Sequence, residues 1–335
     1  MPKRLISFGI GAPLLDIASY ARRGPSRRDR LSPVEIEHIS LTARRVPEVM
    51  VKVLSRGGQD LRAVRRHLDY LRFRDDGELK LETDDGQQLT GPGGAKGLLE
   101  DWDLDLQEYR RRLDLEADSR RSAKLVHKLM FSMPAGTPPE KVLTAVKHFA
   151  REEFGFRHRY VMALHTDEPH PHVHLVVKAV SEQGVRLHIR KATLREWRHE
   201  FARDLRALGV PANATERAVR GESRQHKLDG VYRTELRGDS RRTRQRVEVV
   251  AGELVNGNFR PGSGKAKLLN TRHEVHRGWN AVAEILKANG QPELAARVKE
   301  FVARMKPPRT TKELLARHVL ALRQHSTEER HPPAR

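Results

Sequence analysis

Cysteine is absent from all 335 residues, so no disulfide framework and no thiolate metal site exist in this chain. Aromatic residues make up only 5%, which argues against a surface that binds mainly by stacking on many rings. No apolar run is long enough to span a bilayer, and no signal-peptide core is present. This points to the cytoplasm and to no membrane insertion. No internal repeat is visible. Acidic residues are in deficit: 64 Lys and Arg stand against 44 Asp and Glu, a formal net charge of +20. Charge on that scale speaks of partners rather than of fold, and nucleic acid is the polyanion it fits best.

Against this background the histidines stand out. His165, His170, His172 and His174 fall within ten residues, and Leu175-Val176-Val177-Lys178-Ala179-Val180 follows at once. That tail reads as a strand. Side chains alternate along a strand, so His172 and His174 share one face while Val173, Leu175 and Val177 take the other. Tyr160–Leu164 reads as a preceding strand that ends at His165, and Glu168-Pro169 turns the chain back. The hairpin brings His165 beside the pair. Three neutral imidazoles on one sheet face suit a divalent transition metal, with coordination positions left open for substrate. The alternative is a solvated strand face that happens to be rich in histidine, and His170 is a fourth candidate ligand.

Around this hairpin the pattern alternates between periods. Residues 48–54 read as a strand, 59–72 as a helix with the stripe Leu61, Val64, Leu68 and Leu71, and 78–82 as a short strand. An acidic helical pattern covers 96–113, and a central strand covers 123–132. Thr137-Pro138-Pro139-Glu140 and Thr193-Leu194-Arg195-Glu196 have the form of capping boxes that open helices to about 153 and 208, with a strand at 186–189 between them. The expected class is α+β: an antiparallel sheet covered by helices on one face, plus a C-terminal helical appendage. Four regions are expected: a basic flexible arm at 1–45, a nuclease domain at 46–210, a basic linker or DNA-contacting segment at 211–263, and a helical region at 264–335 broken at Asn289-Gly290 and Pro307-Pro308.

A metal on a basic sheet suggests phosphodiester chemistry, with either water or a side-chain hydroxyl attacking. There are five tyrosines. Tyr160 reads as packing, Tyr109 sits in an acidic helix, Tyr20 lies in the arm, and Tyr232 lies beyond the core. Tyr70 projects away from its helix's apolar stripe and shares its side with Arg66 and His67. On position alone it also reads as an ordinary surface tyrosine.

These residues resemble a known family. His165-x-Asp167…His172-Val173-His174 resembles the three-histidine motif of conjugative relaxases in the HUH endonuclease superfamily. Val51-Lys52-Val53…Gly57-Gly58…His67-Leu68-Asp69-Tyr70-Leu71…Gly77-Glu78-Leu79 is similar to the motif that carries their nucleophilic tyrosine. Phe131-Ser132-Met133-Pro134-Ala135-Gly136-Thr137 falls at the family's strand-to-helix junction near DNA. The interval from Tyr70 to His172 fits the P class of mobilisation relaxases, which includes the T-DNA border endonuclease type. The resemblance covers about 45–210. It implies a site- and strand-specific relaxase that nicks the origin of transfer, with Tyr70 as nucleophile and a 5′-phosphotyrosine product. His165, His172 and His174 would hold Mg²⁺ or Mn²⁺, and Asp167 would orient a ligand histidine. Single-stranded origin-of-transfer DNA, accessory relaxosome proteins and a type IV secretion coupling protein are the implied partners, and translocation into a recipient cell is the implied fate. The rival readings are a metal-dependent nuclease that uses water, a replication initiator of the same superfamily, and a non-catalytic basic DNA-binding protein.

Overall fold

The computed structural model describes residues 17–23, 29–54, 58, 60–74, 77–78, 81–89, 94–104, 124–222 and 241–330. In chain order the elements are α1 (Ile17–Arg23), α2 (Pro33–Ala43), β1 (Met50–Leu54), α3 (Leu61–Arg72), β2 (Phe73–Arg74), β3 (Gly77–Glu78), β4 (Leu81–Thr83), β5 (Gln88–Leu89) and α4 (Gly94–Asp101). They continue with β6 (Val126–Ser132), α5 (Pro139–Phe154), β7 (Tyr160–His165), β8 (His172–Lys178), α6 (Lys191–Ala207), α7 (Arg241–Val255), α8 (Lys265–Ala288), α9 (Pro292–Ala303) and α10 (Thr311–Arg330). The described residues form two compact units, one within 45–214 and the other within 17–44 and 215–330.

The first unit is built on a six-stranded sheet in the order β1-β6-β8-β7-β4-β5. Every pairing in it is antiparallel. This is the expected α+β class, with one difference: helices cover both faces. On one face Val173, Leu175 and Val177 of β8 join Leu129 and Phe131 of β6 and the apolar sides of α5 and α6, including Phe149, Phe154, Trp197 and Phe201. On the other face Val176, Val126, Val161 and Ala163 pack with Val64, Leu68 and Leu71 of α3 and with Leu98, Leu99 and Trp102 around α4. Strand alternation explains why β8 reads as a nearly continuous apolar run past His174: it is buried on both faces.

Two capping readings change. The residue before a proline is pushed out of the helical region. Pro138 before Pro139 is accordingly extended (φ −60°, ψ 118°) and becomes the N-cap, while Thr137 Oγ1 donates to the Pro134 carbonyl at 2.8 Å. Helix α6 starts at Lys191, so Thr193 lies inside its first turn and its Oγ1 accepts from the Arg190 N–H at 3.3 Å. The expected strand at 186–189 reduces to a single bridge between Val180 and Arg186. Leu187 and Ile189 alternate because they pack on the core beside α6, not because they form a ladder. The acidic helical pattern at 96–113 is α4 over 94–101, and its remainder from 105 lies outside the described residues.

The second unit includes the described part of the expected flexible arm. There α1 and α2 are helical, with Ile17, Tyr20, Leu31, Ile39 and Ala43 in a core shared with Trp279, Val282 and Leu286 of α8 and with Val298 and Phe301 of α9. Ser32 and Glu35 form a reciprocal capping box at the start of α2: Ser32 Oγ accepts from the Glu35 N–H at 3.2 Å and Glu35 Oε2 accepts from the Ser32 N–H at 2.8 Å. Gly278 permits the closest approach in this core, since a Cβ there would run into the Ile17 carbonyl. The helical breaks at Asn289-Gly290 and Pro307-Pro308 fall between α8, α9 and α10.

Candidate metal and nucleophile site

The hairpin of β7 and β8 fixes the histidines by register. His165 lies directly opposite His172, and Ala163 opposite His174. All three imidazoles therefore emerge on the α3 face of the sheet. They are buried, with relative exposures of 0% for His165 and 7% for His172 and His174. One ring nitrogen from each lies within 4.8 Å of the others. Ring centroids are 4.8 Å apart for His165 and His174 and 5.3 Å for each of the other two pairs. His170 is exposed and lies outside this group.

His170 contributes in another way, which the sequence did not reveal. Its backbone carbonyl lies 3.1 Å from His172 Nδ1. A carbonyl only accepts, so Nδ1 carries the proton and Nε2 keeps its lone pair for a cation. Three buried ring nitrogens this close fit a divalent metal. Asp167, expected to orient a ligand, is exposed in the turn between β7 and β8.

Tyr70 is brought to the same place by α3. The apolar stripe of that helix packs on the sheet: Val64 is 1% exposed, and Leu68 and Leu71 are 0%. This turns Tyr70 outward, with 45% of its surface exposed, along the rim of the histidine cluster. Its ring centroid is 6.4 Å from that of His165. His67, one turn earlier, stacks on Tyr70 at 6.3 Å and meets His174 edge-on at 5.8 Å. Spacing of three on a helix was the available signal for His67, since i and i+3 share a side.

The remaining charges near this face are mainly cationic. Arg62, Arg65 and Arg66 are exposed on α3, and Lys52 is exposed on β1, on the histidine face of the sheet and opposite Met130. Lys128 on β6 is buried and donates to the Ala63 carbonyl of α3 at 3.4 Å. Burial, then the Arg66 charge, pushes the Lys128 ammonium down to about 8. Burial, followed by the charges of Lys128 and His165, pushes His67 down to about 4. His67 is therefore neutral near pH 7.

Ser132 is buried at the end of β6, and its hydroxyl turns to the neighbouring Met133 carbonyl at 3.4 Å. Lys178 is buried and pairs with Glu182 at 3.0 Å. Tyr160 packs in the core beside Phe154. Tyr109 and Tyr232 lie outside the described residues. Among the described residues no helix is long and apolar enough to cross a membrane.

Comparison with known proteins adds an independent line. Residues 89–207 match the family of the MobA/VirD2-like relaxase nuclease domain. The chain is 27% identical over 136 residues to the T-DNA border endonuclease VirD2 of Rhizobium radiobacter, covering 39% of this chain and 31% of that protein. The Agrobacterium fabrum protein of the same name is 28% identical over 136 residues, covering 39% of this chain and 30% of the relative. That of Rhizobium rhizogenes is 27% identical over 136 residues, again covering 39% and 30%. The chain thus spans under a third of the length of each of these relatives.

Proposed function

Since residues 89–207 match the MobA/VirD2-like relaxase nuclease domain family, we propose that the protein is a site- and strand-specific DNA relaxase whose nucleophile is Tyr70. The observation that carries this reading is geometric. Tyr70 lies N-terminal to the matched span, yet α3 sets its ring 6.4 Å from His165 at the edge of a three-histidine cluster.

The Tyr70 oxygen attacks the scissile phosphorus. A P–O bond to tyrosine forms, the bond from phosphorus to the 3′ oxygen breaks, and the 5′-phosphate stays on Tyr70. The phenol proton leaves to solvent, and the departing 3′ oxygen takes up a proton to become a free 3′-OH. A partly exposed phenol suits this task, because a DNA strand reaches it without any unfolding. His165, His172 and His174 would hold a Mg²⁺ or Mn²⁺ ion, which when bound would supply polarisation of a phosphoryl oxygen and neutralisation of developing charge. Imidazole ligands favour Mn²⁺ over the harder Mg²⁺. The cationic rim of Lys52, Arg62, Arg65 and Arg66 carries the phosphates that flank the nick.

On this reading the substrate is single-stranded origin-of-transfer DNA. Residues 46–210 do the chemistry, while 211–263 contact DNA. Region 264–335 meets accessory relaxosome proteins or a type IV secretion coupling protein. Nicking takes place in the bacterial cytoplasm, and the protein travels with the linked strand into the recipient. Asp167 orients a ligand histidine once DNA is bound.

The test is strand cleavage of tiled single-stranded fragments of the parent mobile element, end-labelled at either terminus, with Mn²⁺ or Mg²⁺. The reading expects cleavage that leaves an upstream fragment with a free 3′-OH and a downstream fragment retained by protein through its 5′ end after denaturation. Cleavage with both ends free makes the protein a water-using nuclease. Binding without cleavage on every fragment makes it a non-catalytic DNA-binding protein.

A further inference from the structure

Helix α3 brings two rings to the histidine face, and only one has been given a task. His67 sits between Tyr70 and His174. Its plane lies within 16° of the Tyr70 ring at a centroid distance of 6.3 Å, and it stands at 74° to His174 at 5.8 Å. Core packing does not require a polar ring here, since Leu61, Val64, Leu68 and Leu71 already seat the helix on the sheet. Burial of the His67 Nε2 atom also has a cost, because it finds no hydrogen-bond partner among the described residues. A position that gives up a hydrogen bond and adds nothing to the apolar stripe calls for another explanation.

Tyr70 supplies it. With 45% of its surface exposed, the phenol has water on one side and two side-chain torsions to restrict. Reaction with a phosphate in line demands one orientation, and a misplacement of about 1 Å costs on the order of a hundredfold in rate. A flat ring wedged against the cluster removes the outward rotamers and leaves the phenol on the metal side.

We propose that His67 is a positioning residue: its imidazole is the shelf that holds the Tyr70 ring beside the three-histidine cluster. This rests on the reading of Tyr70 as nucleophile. The role belongs to the ring's shape and place, not to a proton or a metal bond. A benzene ring therefore replaces it, and a methyl group does not.

The experiment uses the full chain, Mn²⁺ and an oligonucleotide that spans the nick. Three quantities are measured for wild type, His67→Ala and His67→Phe: the single-turnover rate of adduct formation, the Kd for DNA, and the Mn²⁺ concentration for half-maximal rate. His67→Ala is expected to slow the adduct step by about tenfold or more, with Kd and Mn²⁺ requirement unchanged, and His67→Phe to recover most of the rate. A wild-type rate in His67→Ala overturns the proposal. So does a raised Mn²⁺ requirement that Phe fails to rescue, which would make His67 a ligand. A readout without activity runs alongside: ring resonances of ¹³C-labelled tyrosine, with Tyr70 assigned from Tyr70→Phe. The Tyr70 signal is expected to move in His67→Ala and to stay near its place in His67→Phe. An unmoved signal in His67→Ala refutes the packing even if wild type forms no adduct, an outcome that would itself count against the relaxase reading and not against the packing.

Discussion

Removing one imidazole from the cluster will uncouple metal from stability, and the size of the effect follows from linkage. A ligand that binds only the folded state adds RT ln(1 + [L]/Kd), about 2.7 kcal/mol when the metal stands at a hundred times its Kd. His165, His172 and His174 are drawn together by strand register, so an unfolded chain offers no such site. Loss of a residue that merely orients a ligand already weakens metal binding by about 10–100-fold. Loss of the His172 nitrogen will therefore raise Kd by about a hundredfold or more. At the same Mn²⁺ concentration the gain then falls to about 0.4 kcal/mol. The assay is urea denaturation with and without Mn²⁺, for wild type and His172→Ala. In the absence of metal the two proteins are compared first, so that any packing loss is subtracted. Equal metal stabilisation in the two proteins, or none in wild type, would refute the cluster as a cation site.

Two further outcomes concern the frame that holds the site. His127 lies on β6, on the face away from the cluster, and its Nε2–H donates to the Leu187 carbonyl at 3.1 Å. Burial is the main cause that pushes it from 6.5 down to about 4. The unfolded chain therefore binds the extra proton between those values, and the stability from a neutral His127 is complete above pH 6.5 and lost as pH falls toward 4. At about 1.4 kcal/mol per unit the full loss approaches about 3 kcal/mol. Urea midpoints across pH 4–7 will show a steeper acid limb for wild type than for His127→Gln, and identical limbs would contradict this. In the second unit, Gly278→Ala forces a Cβ against the Ile17 carbonyl and will destabilise that unit by about 1–3 kcal/mol. Thermal unfolding measures it, and an unchanged midpoint would show that α1 does not approach α8 this closely.

Much of the site was legible because it is written in the simplest period of all. His172 and His174 are two apart on a strand, and Glu168-Pro169 marks the turn that returns the chain to His165. The stripe of α3 was equally plain, and it alone turns Tyr70 away from the sheet. What escaped depends on contacts or on competing local rules. Lys128 is a strand lysine in sequence, and only the packing of α3 over β6 buries it. His67 carries no signal beyond its spacing from Tyr70. The arm looked flexible because Arg22–Arg30 is basic and interrupted by Gly24, Pro25 and Ser26, although Ser32 and Glu35 already spelled a capping box. Thr137 has the form of a cap in Thr-x-x-Glu, but the conformational demand of Pro139 on Pro138 moves the cap to Pro138. Helices on the second face of the sheet were hidden as well, since alternation in β8 breaks down only when both sides are covered.

On the proposed function, Tyr70 forms the bond to DNA. The most direct test is to digest the protein–DNA adduct with trypsin and nuclease and locate the nucleotide-bearing residue by mass spectrometry. The account predicts a 5′-phosphonucleotide on Tyr70, and no adduct from Tyr70→Phe, a change at a partly exposed position that leaves folding nearly untouched. A nucleotide on any other residue, or an adduct that persists in Tyr70→Phe, would contradict it.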